Sequence, residues 1–423
     1  MDISILDFGA VGDGFTLNTA AIQSAIDACA SVGGGKVTIP SGVYKSGTIW
    51  LRNNVEMHLA AGAEIFASDN MDDYNELDAF PQNASSIHEG WLGKHLIIAH
   101  EIENVKITGC GTINGNCQAF VIREDTPVGK VFGWCNGRSA LKDPEKMRPG
   151  QMVCFIECKN VLVEGVTMTN SPSWTCLIHG SENVTVDGIK IFNPIWMQNS
   201  DGIDIDASRY VTVKNCTVDT GDDAITLRAC EQSLKNKDVH CEYVTVENCT
   251  LATGICAFRL GVGTGPIRHA RISNIKITRA MDFARFCTAY NGRGCANIED
   301  IRFSNVTATG TDRFLEVVAD NGAFVKDIVM ENIKTSSTIK NEIDCINGKI
   351  DNITVKNVDI TFSDKAKIMS EESIARRGDC LLTLKNATRV TFDNVKIYGS
   401  LTDVDKTFDV SECEGLTKNN CNF

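Results

Sequence analysis

Three aspartates stand within one repeat length of each other: Asp201 in Asn199-Ser200-Asp201, then Asp222 and Asp223 in Thr220-Gly221-Asp222-Asp223. Carboxylates gathered in this way are equipment for acid/base work on a glycosidic bond. One carboxylic acid protonates the leaving oxygen, and a carboxylate across the sugar activates water. Mutual repulsion raises the pKa of one member while its neighbours stay ionised, so three Asp can divide these roles. The bland alternative is an Asp pair accepting main-chain hydrogens at a solvated bend.

Residues some twenty positions apart meet only if the backbone returns. A short phrase recurs from mid-chain: Val161-Leu-Val-Glu-Gly165-Val, Val184-Thr-Val-Asp-Gly188-Ile, Val211-Thr-Val-Lys-Asn215-Cys, Val244-Thr-Val-Glu-Asn248-Cys and Ala270-Arg-Ile-Ser-Asn274-Ile, then Ile301, Ile328, Ile353 and Val390 opening further copies. Copies begin from 23 residues apart (161 to 184) to 37 (353 to 390), within the range of solenoids and propellers. Each alternates apolar and polar residues and then puts Gly or Asn at a bend, which reads as strand, bend, strand. Propeller blades want longer, regular four-strand units, so the spacing predicts an all-β, right-handed parallel β-helix. Coils about 4.8 Å apart then make Asp201 a neighbour of Asp222 and Asp223.

A solenoid grows in one dimension, so residues 1–423 are expected to form a single β-helix domain. The apolar stripe Ala20, Ala21, Ile22, Ala25, Ile26 and Cys29 predicts a helix over Leu17 to Ala30, inside an N-terminal cap of about 1–35 that covers the open strand edges. Stretches at about 116–150 and 363–379 are rich in charged residues and Pro or Gly, and are expected to be long loops over the groove. The opening residues are too acidic for a secretory leader, no apolar run is long enough to span a membrane, and the 18 Cys are scattered unlike a small disulfide scaffold. Core thiols in a cytoplasmic protein are the expectation. The His and Cys lack zinc spacing, so no metal and no cofactor are expected. A net charge of −13 opposes nucleic acid and anionic membranes. It would also repel an acidic sugar unless local cations intervened, and Arg228, Arg259, Arg268, Arg271, Arg285 and Arg293 follow the carboxylates.

Phe8-Gly-Ala-Val-Gly-Asp-Gly14, Gly42-Val-Tyr44, Gly111-Thr-Ile-Asn-Gly115, Asn170-Ser-Pro-x-Trp174, Asn199-x-Asp201-Gly202 and Gly221-Asp222-Asp223 resemble the ordered signature of glycoside hydrolase family 28, the polygalacturonases and their relatives. The resemblance runs from about residue 5 to 310. It implies a pectate-lyase-like solenoid and an inverting hydrolase without cofactor. In it the position of Asp222 is the general acid, and those of Asp201 and Asp223 hold and activate water. Three Asp at these positions, followed by the apolar strand Ala224-Ile-Thr-Leu227, favour catalysis over a solvated bend. Asn199 is expected to orient Asp201. Asp204 and Asp206 read either as support behind the trio or as outward-facing residues.

Two family features are missing. Thr253 stands where polygalacturonases carry a His, and Phe286-Cys287-Thr288 stands near the place of the Arg-Ile-Lys that grips galacturonate. Arg259 or Arg285 could replace that grip from a neighbouring coil, since a guanidinium holds a carboxylate in bidentate fashion. Rhamnogalacturonan hydrolases are similar in carrying Cys-Ala in the His segment. The expected substrate is therefore an α-linked, pectin-type oligosaccharide of galacturonide or rhamnogalacturonan kind, attacked from a chain end. Arg228, Arg259, Arg285, Tyr290, Asn199 and Trp134 are the expected substrate contacts, while Trp174 reads equally as packing. The competing classes are a calcium-dependent lyase with Arg228 or Arg259 as base, a fructotransferase-like enzyme, and a non-catalytic carbohydrate-binding fibre module.

Overall fold

The phrases found in the sequence fall into one column of parallel strands. Val161 pairs with Val184, then in turn Val211, Val244, Ala270, Ile301, Ile328, Ile353 and Val390. The structure, a computed structural model, describes residues 2–83, 93–124, 138–143, 147–290, 294–365, 380–402 and 404–423. After each bend a second column follows, aligning Met168, Ile191, Val218 and Leu251. A third column aligns Ile97, Val153, Cys176, Ile203, Ile225, Phe258, Ala284 and Leu315. Each coil therefore has three faces, and the fold is a parallel β-helix. Alternation sends these apolar residues into one continuous core.

The bend after the first face needs the left-handed backbone conformation. Asn supplies it at Asn215, Asn248, Asn274, Asn305, Asn332, Asn357 and Asn394, with φ between 51° and 56°. The stacked amides also bond to one another. Nδ2 of each residue from Asn274 through Asn305, Asn332, Asn357, Asn394 and Asn420 donates to Oδ1 of the Asn one coil before it.

A helix over Thr19–Ser31 covers the first coil, packing on Gly35–Ile39, Ile49–Trp50 and Val55–Leu59. It begins two residues later than expected because Leu17 ends the strand Asp13–Leu17. The buried stripe is Ile22, Ala25, Ile26 and Cys29, and Ala20 faces solvent. The expected loop at 116–150 holds more structure than foreseen: Val121–Glu124 pairs antiparallel with Arg138–Leu141, anchored by buried Cys117 and Phe120. Most of the 363–379 stretch lies outside the described residues. Among the described residues the cysteines are free thiols, Cys216 and Cys249 occupying the same place on consecutive coils, and no helix is long and apolar enough to cross a membrane.

Candidate active site

The two Asp segments occupy turns of consecutive coils. Asp201 precedes the strand Ile203–Asp206, and Asp222-Asp223 joins Thr217–Thr220 to Ile225–Ala229. Gly202 N donates to Asp223 O at 2.9 Å, which locks one turn on the other. The approach leaves no room for a side chain, since a Cβ on Gly221 would lie 2.3 Å from Met197 O. A buried hydroxyl and amide group holds the register. Asn193 Nδ2 reaches Thr175 Oγ1 at 2.8 Å and Thr220 Oγ1 at 3.1 Å, Ser200 Oγ accepts from Gly221 N at 3.1 Å, and Thr220 Oγ1 donates to Ser200 O.

Oxygens of Asp201, Asp222 and Asp223 come within 4.8 Å of one another. Asp222 accepts from Asn199 N at 2.9 Å and from Asp223 N at 3.0 Å. Asp223 accepts from Cys256 N at 3.1 Å and forms a two-point ion pair with Arg259. Asp201 Oδ1 is buried with no hydrogen-bond partner among the described residues. Burial pushes the Asp201 carboxyl well above the usual range, with Asp222, Asp204 and Asp223 adding to it and Arg228 opposing. Asp222 is pushed up to about 6 by burial and then by Asp223, against Arg259 and its two backbone donors. The trio is thus built to keep a proton near neutral pH. Its spacing would also suit a divalent cation, but Asp223 is already occupied by Arg259 and more guanidinium groups line the space, which is poor surroundings for a cation.

That space is a cleft of about 500 Å³. Asn199, Arg228, Arg259, Arg285 and Tyr290, all expected at the site from sequence, line it together with the trio. Arg228 is held by Asp206 at 3.4 Å and stacks 4.1 Å from the centre of the Trp174 ring, so Trp174 is both packing and cleft wall. Arg285 pairs with Glu316, and Tyr290 lies 5.4 Å over the Arg259 guanidinium. Trp134 and Arg293 lie outside the described residues. Arg268 and Arg271 are elsewhere, paired with Glu242 and Asp300 on the first face.

Asp204 and Asp206 project from the cleft face but are covered. Asp204 accepts from Thr226 Oγ1 at 2.6 Å, and burial pushes it up to about 7 although Arg228 and Thr226 pull the other way. Thr253, in the place of the family His, donates its hydroxyl to Asp222 O, a main-chain support. Phe286, near the missing Arg-Ile-Lys, points into the core. Sequence reasoning missed Arg148, whose guanidinium donates to Gln198 O and Asn199 Oδ1, both at 2.9 Å, and so pins the Asn199 bend. Its only signal was that it is one of three Arg in a charged stretch read as loop.

On the side of the earlier coils an apolar cluster meets the cleft at Trp174. There the outward residues Ile98, Cys154, Ile156 and Leu177 are buried under Phe80, with Trp174 at the boundary. Phe80 is wedged between Trp50 and His100. Gln82 bonds Glu157, and Glu157 also accepts from Lys235 N and Asn236 N, which fastens a second segment over the same coils.

Residues 29–380 match glycosyl hydrolases family 28. An exo-poly-alpha-D-galacturonosidase of Dickeya chrysanthemi is 29% identical over 254 residues, 54% of this chain, and the alignment spans 42% of that relative's length. Two solved structures share the fold: an exopolygalacturonase of Thermotoga maritima (TM-score 0.69, 23% identity, 95% of this chain and 93% of that one) and a family 28 exopolygalacturonase of Yersinia enterocolitica (TM-score 0.72, 22%, 98% and 78%). The solenoid is accordingly the right-handed parallel β-helix. With the family match extending over well beyond half of its length, the chain belongs to glycosyl hydrolases family 28.

Proposed function

We propose that this protein hydrolyses α-linked, pectin-type oligosaccharides carrying acidic sugars, with inversion, releasing units from a chain end. The observation that carries the reading is the convergence of Asp201, Asp222 and Asp223 on one cleft that Arg228, Arg259 and Arg285 also line. Asp222, pushed up to about 6, delivers the proton to the leaving oxygen, since a general acid works best with a pKa near the working pH. Asp201 and Asp223 hold and activate the water. The expectation of inversion rests on the family resemblance rather than on spacing, because oxygens within 4.8 Å are closer than the usual separation in inverting pairs. The anomeric configuration of the first product, read by NMR, decides between the two outcomes.

The guanidinium groups favour a uronate over a neutral sugar, offsetting the overall charge of −13 locally. They also favour hydrolysis over elimination. A lyase needs an uncharged Arg as base, and here Arg228 and Arg259 are ion-paired with Asp206 and Asp223. The apolar cluster under Phe80, which meets the cleft at Trp174, supports attack at a chain end. The product profile on reduced oligogalacturonides checks this: single units or dimers are expected early, and random internal fragments would overturn end-wise action. Asp222→Asn keeps the shape of the side chain and removes its proton. It should lower turnover by on the order of 10²-fold or more with folding intact, and full turnover in this variant would overturn the reading.

A further inference from the structure

The strand Cys256–Gly263 brings Arg259 alongside the Asp222-Asp223 turn, one coil on, in register with Thr226. Its Nε donates to Asp223 Oδ2 and its Nη2 to Asp223 Oδ1 at 3.2 Å, while Cys256 N adds a donor to Oδ1 at 3.1 Å. Nη1 is buried without a hydrogen-bond partner among the described residues, and the side chain lines the cleft with the residue only 7% exposed. Tyr290 covers the guanidinium plane. A guanidinium stays charged when buried and holds a carboxylate by two parallel bonds, so such a pair fixes both the charge and the rotation of its partner. Among the described residues the other members of the trio have no such grip: Asp222 meets only backbone donors, and Asp201 keeps an orphaned oxygen. Thr253, where the family carries a His, turns its hydroxyl to a main-chain carbonyl and offers the carboxylates nothing.

We propose that Arg259 is the positioning residue of the water-activating base: its two-point grip fixes the rotation of the Asp223 carboxylate in the cleft. This rests on the hydrolytic reading above. The groups around Asp223 divide cleanly by coil. Asp201 and Asp204 face it from the coil before, Asp222 and Arg228 from its own, Cys256 and Arg259 from the next, and Arg285 and Tyr290 from the coil beyond. Arg259 is the cation that bonds both Asp223 oxygens, so its removal exposes Asp223 to the repulsion of three other carboxyl groups.

The test is steady-state kinetics against pH for Arg259→Met, Arg259→Lys, Asp223→Asn and the double variant Arg259→Met/Asp223→Asn. Arg259→Met should lower kcat by on the order of 10²-fold, with KM changing less than kcat. Lys keeps the charge without the fork and should restore part of the loss. Once Asp223→Asn has removed the carboxylate, Arg259→Met should cost little more, since the two residues act as a unit. An Arg259→Met variant with raised KM but unchanged kcat would overturn the proposal, as would losses that multiply in the double variant. If the Met variant does not fold, Arg259→Lys decides alone: it keeps the charge but loses the two-point bond to Asp223, so a kcat equal to wild type overturns the proposal. Asp222→Asn separates the two readings. Full turnover there sinks the hydrolytic reading, whereas an inactive Asp222→Asn with indifferent Arg259 variants sinks only the role of Arg259.

Discussion

The coils stack identical residues at one corner and charged residues at another, and the two corners behave in opposite ways. At the Asn corner each amide from Asn248 to Asn420 meets its like one coil away, one donating where the next accepts. Neutral groups with both a donor and an acceptor gain from such repetition. At the carboxylate corner the same stacking brings Asp201, Asp222 and Asp223 to within 4.8 Å, buried, with one oxygen orphaned. Repetition there costs stability, since like charges in a desolvated turn oppose ionisation. The scaffold is the same in both places. Only the chemistry of the repeated group decides whether a rung stabilises the fold or stores a proton for a reaction.

Asp222→Asn should sharpen this contrast most, because it converts one charged rung into an amide like those of the other corner. Alongside the large loss of turnover, the variant should be more stable than wild type above neutral pH. The sign follows from the direction of the shift. Asp222 is raised in the folded state to about 6 from an ordinary 3.8, so its contribution to stability is fully present below about pH 4 and is lost as pH rises through about 6. Urea unfolding should therefore find variant and wild type alike near pH 4. A gap on the order of 1–3 kcal/mol in favour of the variant should open by pH 8. A variant less stable than wild type at pH 8 would show that Asp222 is a net support of the turn, and the contrast between corners would fail. The same pKa sets the alkaline side of activity: turnover that depends on protonated Asp222 should fall as pH rises through about 6, which a kcat profile measures.

Much of this arrangement was legible before any coordinates. The nine repeat phrases carry alternation and a bend residue at constant offset, which fixes which side chains stack, and this sufficed to bring three Asp together from two turns. Arg228, Arg259, Arg285 and Tyr290 could be placed near the site because they share the coils that follow. What could not be read was the pairing of each charge. Register shows that Arg259 lies next to Thr226, yet its selection of Asp223 depends on side-chain reach across a turn. The apolar cluster beside the cleft was equally hidden: Phe80 and Gln82 come from a segment outside the repeat, with no periodicity to announce what they cover. Arg148 escaped for the same reason. Conversely, Arg268 and Arg271 looked like members of the basic cluster only because sequence proximity does not say which face of a coil a residue occupies.

The Asn corner offers the smallest effect and the cleanest separation of causes. Asn274 has φ of 55°, donates to Asn248 Oδ1 and accepts from Asn305 Nδ2, both at 3.3 Å, on an exposed bend. Asn274→Ala removes the amide and also forces an alanine into the left-handed region, where a Cβ costs roughly 1–2 kcal/mol. Asn274→Gly removes the same amide but adopts that conformation readily, with a greater loss of chain entropy on folding. If backbone conformation is the main reason for Asn at these bends, the Ala variant should be less stable than the Gly variant by about 1 kcal/mol, measured as a shift in the urea midpoint at unchanged slope. Equal losses in both would assign the bend to the amide ladder instead, and would mean that the two corners differ in the hydrogen bonds they repeat rather than in the backbone they impose. Neither variant should alter turnover, because the bend lies after the first face of the coil and the carboxylates lie before the third.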